Sequence, residues 1–421
     1  MPRLLLFAAT TGYQTTSFAA AARSLSVDVV LATDRCHIME NPWGDNALAV
    51  RFEDPEGSAA SLAERLQGAG IDGVIAVADR PTLVAALTAE KLGLPWHPPH
   101  AAAVCRDKHK MRQLFSAAGL PVPSFRLISL DGDPRQISES VEFPCVLKPL
   151  SLSGSRGVIR VNDREEFVSA FARIRKLLAA ITSHDSTDTP PSIQVENYIP
   201  GREFAVEGVL DHGHLASLAI FDKPDPLEGP FFEETIYVTP SRETPERQRE
   251  MLETTSRAAL ALGLRNGPIH AEMRVNEQGV FMLEIAARPI GGLCSRVLRF
   301  LAPGHSQTLS LEEVLILHAT GQMPLHLTPA TPSSGVMMIP VPRAGILQSV
   351  SGTEEALSTP GIEDVIITAR PGEKLTPLPE GASYTGFLFA RGSDPGSVEE
   401  SLRRAHGALR FDILSALDVL S

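Results

Sequence analysis

The chain has 421 residues, 43% of them hydrophobic and 21% charged, and a formal net charge of −12. This length exceeds what one ordinary hydrophobic core serves, so we expect two to three domains. The proportions are those of a soluble globular protein. The acidic balance, with no basic run to offset it, argues against partners such as nucleic acid or a membrane surface.

The first apolar run, residues 4–9, is short and is followed at once by polar residues. It indicates a buried strand and not a signal peptide. No stretch reaches the ~18 apolar residues that a membrane-spanning helix needs. The cysteines are scattered, which predicts a reducing cytoplasm without a disulfide framework or a zinc site. They are Cys36, Cys105, Cys145 and Cys294.

The first hundred residues alternate between strand and helix patterns. We predict strands at 4–9, 27–32 and 73–78, and helices at 16–25, 58–68 and 81–92. This alternation indicates an open parallel α/β sheet. Ligands of such sheets lie at the carboxyl ends of the strands. Here those ends hold residues 10–14 and the pair Asp79 and Arg80.

A GxGxxG pattern at Gly68, Gly70 and Gly73 lies between the second helix and the third strand. The dinucleotide-binding fingerprint requires the opposite order, a strand before it and a helix after it. We therefore interpret these glycines as a turn that ends the helix.

The remaining elements are predicted from hydrophobic spacing and turn residues. A polar, proline-containing loop is expected at 182–192, a linker at 323–332, and a third unit from about 333 onward. Predicted helices lie at 107–118, 163–180, 245–262, 311–318 and 397–409. Predicted strands lie at 125–128, 145–149, 158–161, 193–196, 203–210 and 214–221.

The segment IHAEMRVNEQGVFMLEIAARPIGG, residues 269–292, is the most informative in the chain. It indicates two strands joined by a turn, with Glu272 on one strand, Glu284 on the other and Arg288 shortly after. Two carboxylates on neighbouring strands suit Mg²⁺, which is commonly bound by carboxylates together with substrate phosphates. An adjacent arginine can hold a phosphoryl group by a bidentate fork.

A second constellation begins with Lys148 at the end of the strand PCVLKP, followed by the Ser/Gly-rich loop 151–157. Small residues let backbone N–H groups approach phosphate oxygens closely. The loop is not a Walker A motif, since GxxxxGK[ST] does not occur in the chain. Upstream, Lys108 opens the helix before GLPVP, and downstream comes QVENYIPGREFAVEGVL.

The order of these motifs resembles the ATP-grasp superfamily, and most closely its carboxylate–amine ligases of the bacterial L-amino acid (dipeptide) ligase type. The resemblance implies an α/β (α+β) fold. A pre-ATP-grasp open parallel α/β domain would span 1–105 and an ATP-grasp domain 106–325, with a lid at about 124–200. A C-terminal domain like that of biotin carboxylase would span 326–421.

The resemblance also implies roles for individual residues. Glu272 and Glu284 would bind Mg²⁺ or Mn²⁺, and Arg288 would stabilise the transferring phosphoryl group and the acyl phosphate. Glu203 would accept hydrogen bonds from the ribose. Two residues after Glu284, where many ATP-grasp enzymes carry an asparagine, this chain has Ala286. The implied ATP contacts are Lys108, Lys148, Ser153, Gly154, Ser155, Gly157, Glu196, Asn197, Tyr198, Ile199 and Glu203.

Substrate recognition is predicted from fewer signals. Either Glu233 or Glu234 could bind a substrate ammonium, and we favour Glu234; strand alternation would let only one of them point inward. His270 should share the face of Glu272 and line the pocket or pack beside it. Gly291 and Gly292 would leave room for a sizeable side chain, so Gly292→Trp should narrow the range of accepted substrates.

These expectations combine into an ADP-forming ligase that joins a small-molecule carboxylate and an amine, both amino acids, through an acyl phosphate. The resemblance further suggests a homodimer. Three alternatives stay open at this level: a biotin-dependent carboxylase subunit, a ligase for a nucleotide precursor or natural product, and a non-enzymatic ATP-binding sensor.

Overall fold

The computed structural model describes residues 1–9, 14–34, 47–182 and 191–415. Residues 10–13, Cys36 and most of the predicted loop at 182–192 therefore lie outside the described residues. The strands, in chain order, are β1 (Arg3–Ala8), β2 (Asp28–Thr33), β3 (Ala47–Ala49), β4 (Gly73–Val77), β5 (Phe125–Ser129), β6 (Cys145–Pro149), β7 (Ile159–Val161), β8 (Ser192–Asn197), β9 (Arg202–Asp211), β10 (His214–Lys223), β11 (Ile236–Thr239), β12 (Gly267–Asn276), β13 (Gly279–Ala286), β14 (Arg299–Leu301), β15 (Leu309–Ser310), β16 (Thr328–Pro329), β17 (Ser333–Ile339), β18 (Gly345–Ser351), β19 (Ile362–Ile367), β20 (Lys374–Leu375), β21 (Gly386–Gly392) and β22 (Arg410–Leu414).

The predicted helices begin and end close to their predicted positions. The helices are α1 (Thr15–Ser24), α2 (Pro55–Leu66), α3 (Thr82–Leu92), α4 (Pro99–Val104), α5 (Lys108–Ala117), α6 (Pro134–Ser138), α7 (Arg164–Thr182), α8 (Pro245–Leu262), α9 (Leu311–Ala319), α10 (Thr353–Leu357) and α11 (Pro395–Ala408). Three of them, α4, α6 and α10, are short and were not predicted. Among the described residues, no helix is both long enough and apolar enough to cross a lipid bilayer.

The N-terminal strands form the predicted parallel sheet, in the order β3-β2-β1-β4. The sequence did not predict the short strand β3. The glycine pattern after α2 is a turn, since Gly68 and Gly70 have φ values of 75° and 65° that favour glycine. Gly73 lets β4 pack closely on α9, because a Cβ there would lie 2.4 Å from the carbonyl oxygen of Ala319.

A separate antiparallel sheet, in the order β5-β8-β6-β7, lies in the region predicted as the lid. Helix α7 covers one of its faces. Phe167, Phe171 and Ile174, spaced at helical intervals in the sequence, are fully buried against this sheet. This region therefore has a hydrophobic core of its own.

The central antiparallel sheet has the order β13-β12-β9-β10-β11-β17-β21-β19. Its last three strands come from the predicted C-terminal unit. This sheet therefore contains strands from both sides of the predicted domain boundary near residue 325. Helices α5 and α8 cover the β9–β12–β13 face. The prediction of a plain linker at 323–332 is wrong, because Thr328–Pro329 pairs with β14. Two small sheets, β15-β14-β16 and β20-β18-β22, complete the described fold.

Candidate active site

The carboxyl end of the N-terminal sheet, the lid, the central sheet and the C-terminal segment around Tyr384 enclose a cavity of about 1220 Å³. Ligand pockets commonly measure roughly 300–1,000 Å³. This cavity therefore has room for more than one small molecule. Of the predicted site residues, all but Gly157 and Asn197 line it. The Asn197 side chain instead donates to Glu142 at 3.0 Å.

Lys148, at the end of β6, donates a hydrogen bond to Glu196 on the neighbouring lid strand. Glu196 also accepts from Nε and Nη2 of Arg112, at 3.1 and 2.9 Å, and both of these side chains are 2% exposed. Burial alone would raise the pKa of Glu196, but Arg112 and Lys148 beside it lower that pKa to about 2. Glu196 is thus a permanent anion that fixes the Lys148 ammonium inside the cavity.

The backbone of the predicted adenine hinge is already hydrogen-bonded within the protein. The N–H groups of Asn197 and Tyr198 donate to carbonyl groups of the lid at 2.9 and 3.0 Å. The carbonyl oxygen of Ile199 accepts from Arg274 Nη1 at 2.8 Å. Tyr198 and Ile199 nevertheless line the cavity with their side chains.

The Ser/Gly-rich loop 151–157 connects the lid to the C-terminal segment. The Gly157 N–H donates to the Pro379 carbonyl at 2.9 Å, and Arg156 Nε donates to the Glu380 carbonyl at 2.8 Å. The Glu380 carboxylate also pairs with Arg173 of α7, with Nη2 and Oε2 2.8 Å apart. The loop is therefore held over the cavity by contacts from a distant part of the chain.

Lys223 is buried against three carboxylates that line the cavity. Its Nζ is 2.8 Å from both Glu203 and Glu234 and 3.2 Å from Glu272, and its side chain is 3% exposed. Oxygens of these three carboxylates lie within 4.8 Å of one another. Burial and the nearby Glu272 raise the pKa of Glu234 to about 7, although Lys223 opposes the shift. Glu234 also accepts from the Tyr237 hydroxyl at 2.8 Å.

Glu272 and Glu284 are direct partners across strands β12 and β13, and a bulge follows Glu272. Both line the cavity. The Glu284 carboxylate is 3.1 Å from Lys108 Nζ, which also donates to the Leu152 carbonyl at 2.8 Å. Ala286, two residues after Glu284, offers no side-chain oxygen. The two carboxylates predicted to bind a metal ion therefore lie on adjacent strands, and each has a lysine beside it.

His270 bridges two carboxylates. Its Nδ1 is 3.0 Å from Glu207 and its Nε2 is 3.4 Å from Glu272. Burial disfavours the cation, but the hydrogen bonds that the ring donates to Glu207 and Glu272 raise the pKa of His270 to about 9. Glu207 also accepts the Ile290 N–H at 3.1 Å, and the Ile290 carbonyl accepts from Gln14 at 2.5 Å. His270 thus helps to anchor the segment that follows β13.

Arg288 forms a bidentate pair with Asp79 of the N-terminal unit, at 2.8 and 3.1 Å. Two glycines follow it. Gly292 has a φ of +61°, and a Cβ there would lie 3.1 Å from the Phe387 ring. A Cβ on Gly291 would meet nothing within 4 Å. Gly291 is therefore the open position, whereas a side chain at Gly292 would meet Phe387; the effect of Gly292→Trp on substrate range stays a prediction.

Comparisons with known proteins agree with this architecture. Residues 18–96 match the ATP-grasp N-terminal domain and residues 141–297 the ATP-grasp domain. Residues 337–413 match the L-amino acid ligase C-terminal domain 2. The chain therefore contains the N-terminal and central domains of ATP-grasp proteins.

Several ATP-grasp relatives carry an activity in their names. The chain is 29% identical to the alanine–anticapsin ligase of Bacillus subtilis over 217 residues, 48% of this chain and 45% of that protein. It is 28% identical to carnosine synthase 1 of Mus musculus over 332 residues, 74% of this chain and 38% of that protein. The chain thus spans less than half the length of these two relatives.

A solved structure shares the fold across the whole chain. The L-amino acid ligase from Bacillus licheniformis superimposes with a TM-score of 0.78 at 23% sequence identity, covering 99% of both chains. The predicted family and fold class are confirmed. The predicted enzyme class, an ADP-forming ligase, is that of the named ATP-grasp relatives, and ATP is the nucleotide that this family uses.

Several functional residues were not predicted from the sequence. Glu207 lies within a predicted strand, Arg112 lies within a predicted helix, and Lys223 lies two residues beyond the predicted end of another strand. A charged side chain within or beside an apolar run is the signal that could have revealed them. The alternation argument for Glu233 and Glu234 was also wrong, because strand β11 begins only at Ile236. Glu234 nevertheless reaches the cavity.

Proposed function

We propose that this protein is an ADP-forming ligase that joins the carboxylate of one amino acid to the amino group of another through an acyl phosphate. One observation carries the proposal: Lys148, Glu234, Glu272, Glu284 and Arg288 line a single cavity. Such a set can hold a polyphosphate at one end and a reacting carboxylate at the other. The C-terminal domain of the L-amino acid ligase type forms part of the same wall.

The triphosphate of ATP would lie between the lid and the central sheet. Lys148 and Lys108 supply positive charge, and the loop 151–157 offers backbone N–H groups above the phosphates. Glu203 would accept from the ribose hydroxyls. Glu272 and Glu284 fit Mg²⁺ or Mn²⁺, because they are direct partners on adjacent strands and both line the cavity. The ion would offset negative charge on the phosphates when bound.

The substrate end of the cavity combines acidic and apolar surface. Glu234 would bind a substrate ammonium in a position that it now shares with Lys223. Met338, Cys294 and Phe387 line the cavity and are apolar and buried. We therefore expect that at least one substrate carries an apolar side chain.

The reaction has two steps. An oxygen of the substrate carboxylate attacks the γ-phosphorus of ATP, and the bond to the β–γ bridging oxygen breaks to release ADP. The amine of the second amino acid then attacks the carbonyl carbon, loses a proton and expels phosphate. Arg288 would stabilise the charge of the transferring phosphoryl group and of the tetrahedral stage. The loop 151–157, which is held by Pro379 and Glu380, would exclude water that would otherwise hydrolyse the acyl phosphate.

The test is incubation of the protein with ATP, Mg²⁺ and pooled amino acids, with products read by mass spectrometry. ADP together with a dipeptide mass supports the proposal and identifies both substrates. ADP without a dipeptide would point to a different amine or to carboxylation, and AMP would contradict the acyl phosphate. Light scattering during size-exclusion chromatography tests the expected homodimer.

A further inference from the structure

Among the described residues, the hydrogen bonds of Arg288 leave a defined part of its guanidinium available to a ligand. Nε donates to Oδ1 of Asp79 at 2.8 Å, Nη2 donates to Oδ2 at 3.1 Å, and Nη1 donates to the Pro289 carbonyl at 3.0 Å. A guanidinium has five N–H groups. The three engaged here leave one on each terminal nitrogen, which is the fork that binds two oxygens of a phosphoryl group.

Asp79 is held in place by its own surroundings. It follows strand β4 directly after Ala78, a non-glycine residue with a φ of +68°. Left-handed backbone at alanine is strained and persists where the surrounding structure imposes it, commonly at functional sites. The Asp79 carbonyl accepts from the Thr82 hydroxyl at 2.8 Å. The backbone here turns the carboxylate into the cavity that Asp79 lines with Arg288.

We propose that Asp79 is a positioning residue for Arg288: it fixes the guanidinium so that its free fork faces the transferring phosphoryl group. The proposal rests on the proposed function, in which Arg288 receives that group. It gives the N-terminal unit a part in catalysis although Asp79 itself need not touch the phosphoryl group.

The charges around Asp79 favour a permanent carboxylate. Burial would raise the pKa of Asp79, but Arg288, together with Lys108 and Arg106, holds it below its ordinary value. The bidentate pair favours an ionised carboxylate, because protonation would place an O–H donor on one of the two oxygens that accept from Arg288. Asparagine would place an NH₂ group against one of the Arg288 donors and so would misalign the fork.

The first test measures binding and needs no amino acid. Isothermal titration compares MgADP alone with MgADP plus aluminium fluoride, a mimic of the transferring phosphoryl group. We expect aluminium fluoride to increase the affinity of the wild-type protein for MgADP. In Asp79→Asn this increase in affinity should be smaller by about tenfold or more. Affinity for MgADP alone should stay within about threefold. An unchanged gain in Asp79→Asn, or no gain in the wild type, overturns the positioning role.

The second test is kinetic and uses a double-mutant cycle. Asp79→Asn should lower kcat by about 10²-fold with little change in KM for ATP. In an Arg288→Ala background it should have no further effect, and Asp79→Glu should recover part of the loss. Additive effects, or a rise in KM alone, would contradict a role exerted through Arg288.

The matched control is Asp28→Asn, which removes a partly exposed ion pair to Arg3 in the same sheet. Asp28 begins strand β2, whereas the cavity lies at the carboxyl ends of these strands. Asp28→Asn should leave kcat unchanged. If ligation fails while the fluoride gain still depends on Asp79, the positioning role stands and only the assignment of the amine or carboxylate substrate is wrong.

Discussion

Replacing Glu196 by glutamine should expose how the nucleotide end of the cavity is held together. Arg112 and Lys148 would then be buried cations without their anion. The fall in pKa from 4.5 in a free glutamate to about 2 corresponds to roughly 3 kcal/mol of stability at neutral pH. Removing one partner of a buried ion pair typically costs about 3–5 kcal/mol. We therefore expect the free energy of unfolding of Glu196→Gln to be about 3 kcal/mol lower than that of the wild type.

The pH dependence of this loss has a defined sign. The pKa of Glu196 is lower in the folded protein, so its contribution is complete above about pH 4.5, the value of a free glutamate, and is lost as the pH falls toward 2. The difference in unfolding free energy between wild type and Glu196→Gln should therefore be constant from pH 7 to about pH 5 and shrink below that.

The same substitution should change nucleotide binding. Burial lowers the pKa of Lys148, and Glu196 opposes that shift. Without Glu196 the pKa of Lys148 falls further, so the lysine loses charge at a lower pH. Calorimetric titration should show that the MgATP affinity of Glu196→Gln is weaker than in wild type and is weaker at pH 8.5 than at pH 6.5.

Urea unfolding followed by circular dichroism measures the stability difference. Glu363→Gln is the matched control, because Glu363 forms a half-exposed pair with Arg391 at 3.0 Å. Surface pairs contribute about 0–1 kcal/mol, so this variant should unfold much like the wild type. If Glu196→Gln shows wild-type stability and wild-type affinity for MgATP, the reasoning about this ion pair is refuted.

Five further substitutions test other parts of the cavity. Arg288→Ala and Glu284→Ala should each lower ADP release by on the order of 10²-fold or more while the circular dichroism melt is retained; activity within tenfold of wild type would contradict their roles. Gly291→Val should narrow the range of dipeptides formed from an amino acid mixture. Gly292→Ala should mainly lower the melting temperature, because the φ of +61° at Gly292 disfavours a side chain. Equal effects of the two substitutions on the range of dipeptides would contradict this assignment. Glu380→Ala should release the loop 151–157 and raise the ratio of ADP to dipeptide above one, because water then reaches the acyl phosphate. A ratio that stays at one would show that the contacts of Glu380 are not needed to exclude water.

The sequence predicted the fold well where a local pattern determines the element. Apolar runs and glycine or proline stops gave the N-terminal parallel sheet and most helices. It could not predict that β17, β19 and β21 extend the central sheet, because strand order across a sheet depends on contacts between distant residues. The two-residue strand β16 carries too little periodicity to stand out from a linker.

The candidate site shows the same division. Glu272, Glu284 and Arg288 lie close together in sequence, so their spacing indicated a shared pocket. The partners of these residues come from elsewhere in the chain. Asp79 is 209 residues from Arg288, and no local pattern predicts which carboxylate a given arginine meets. Lys223 was missed for a similar reason, since its three acidic partners belong to different elements.

The central claim is that ligation proceeds through an acyl phosphate. Amino acid substrate labelled with ¹⁸O in both carboxylate oxygens tests it directly, with the products read by mass spectrometry. We predict inorganic phosphate that carries one ¹⁸O atom, together with unlabelled ADP and one dipeptide for each ADP. Label in AMP, or phosphate without label, would contradict the account.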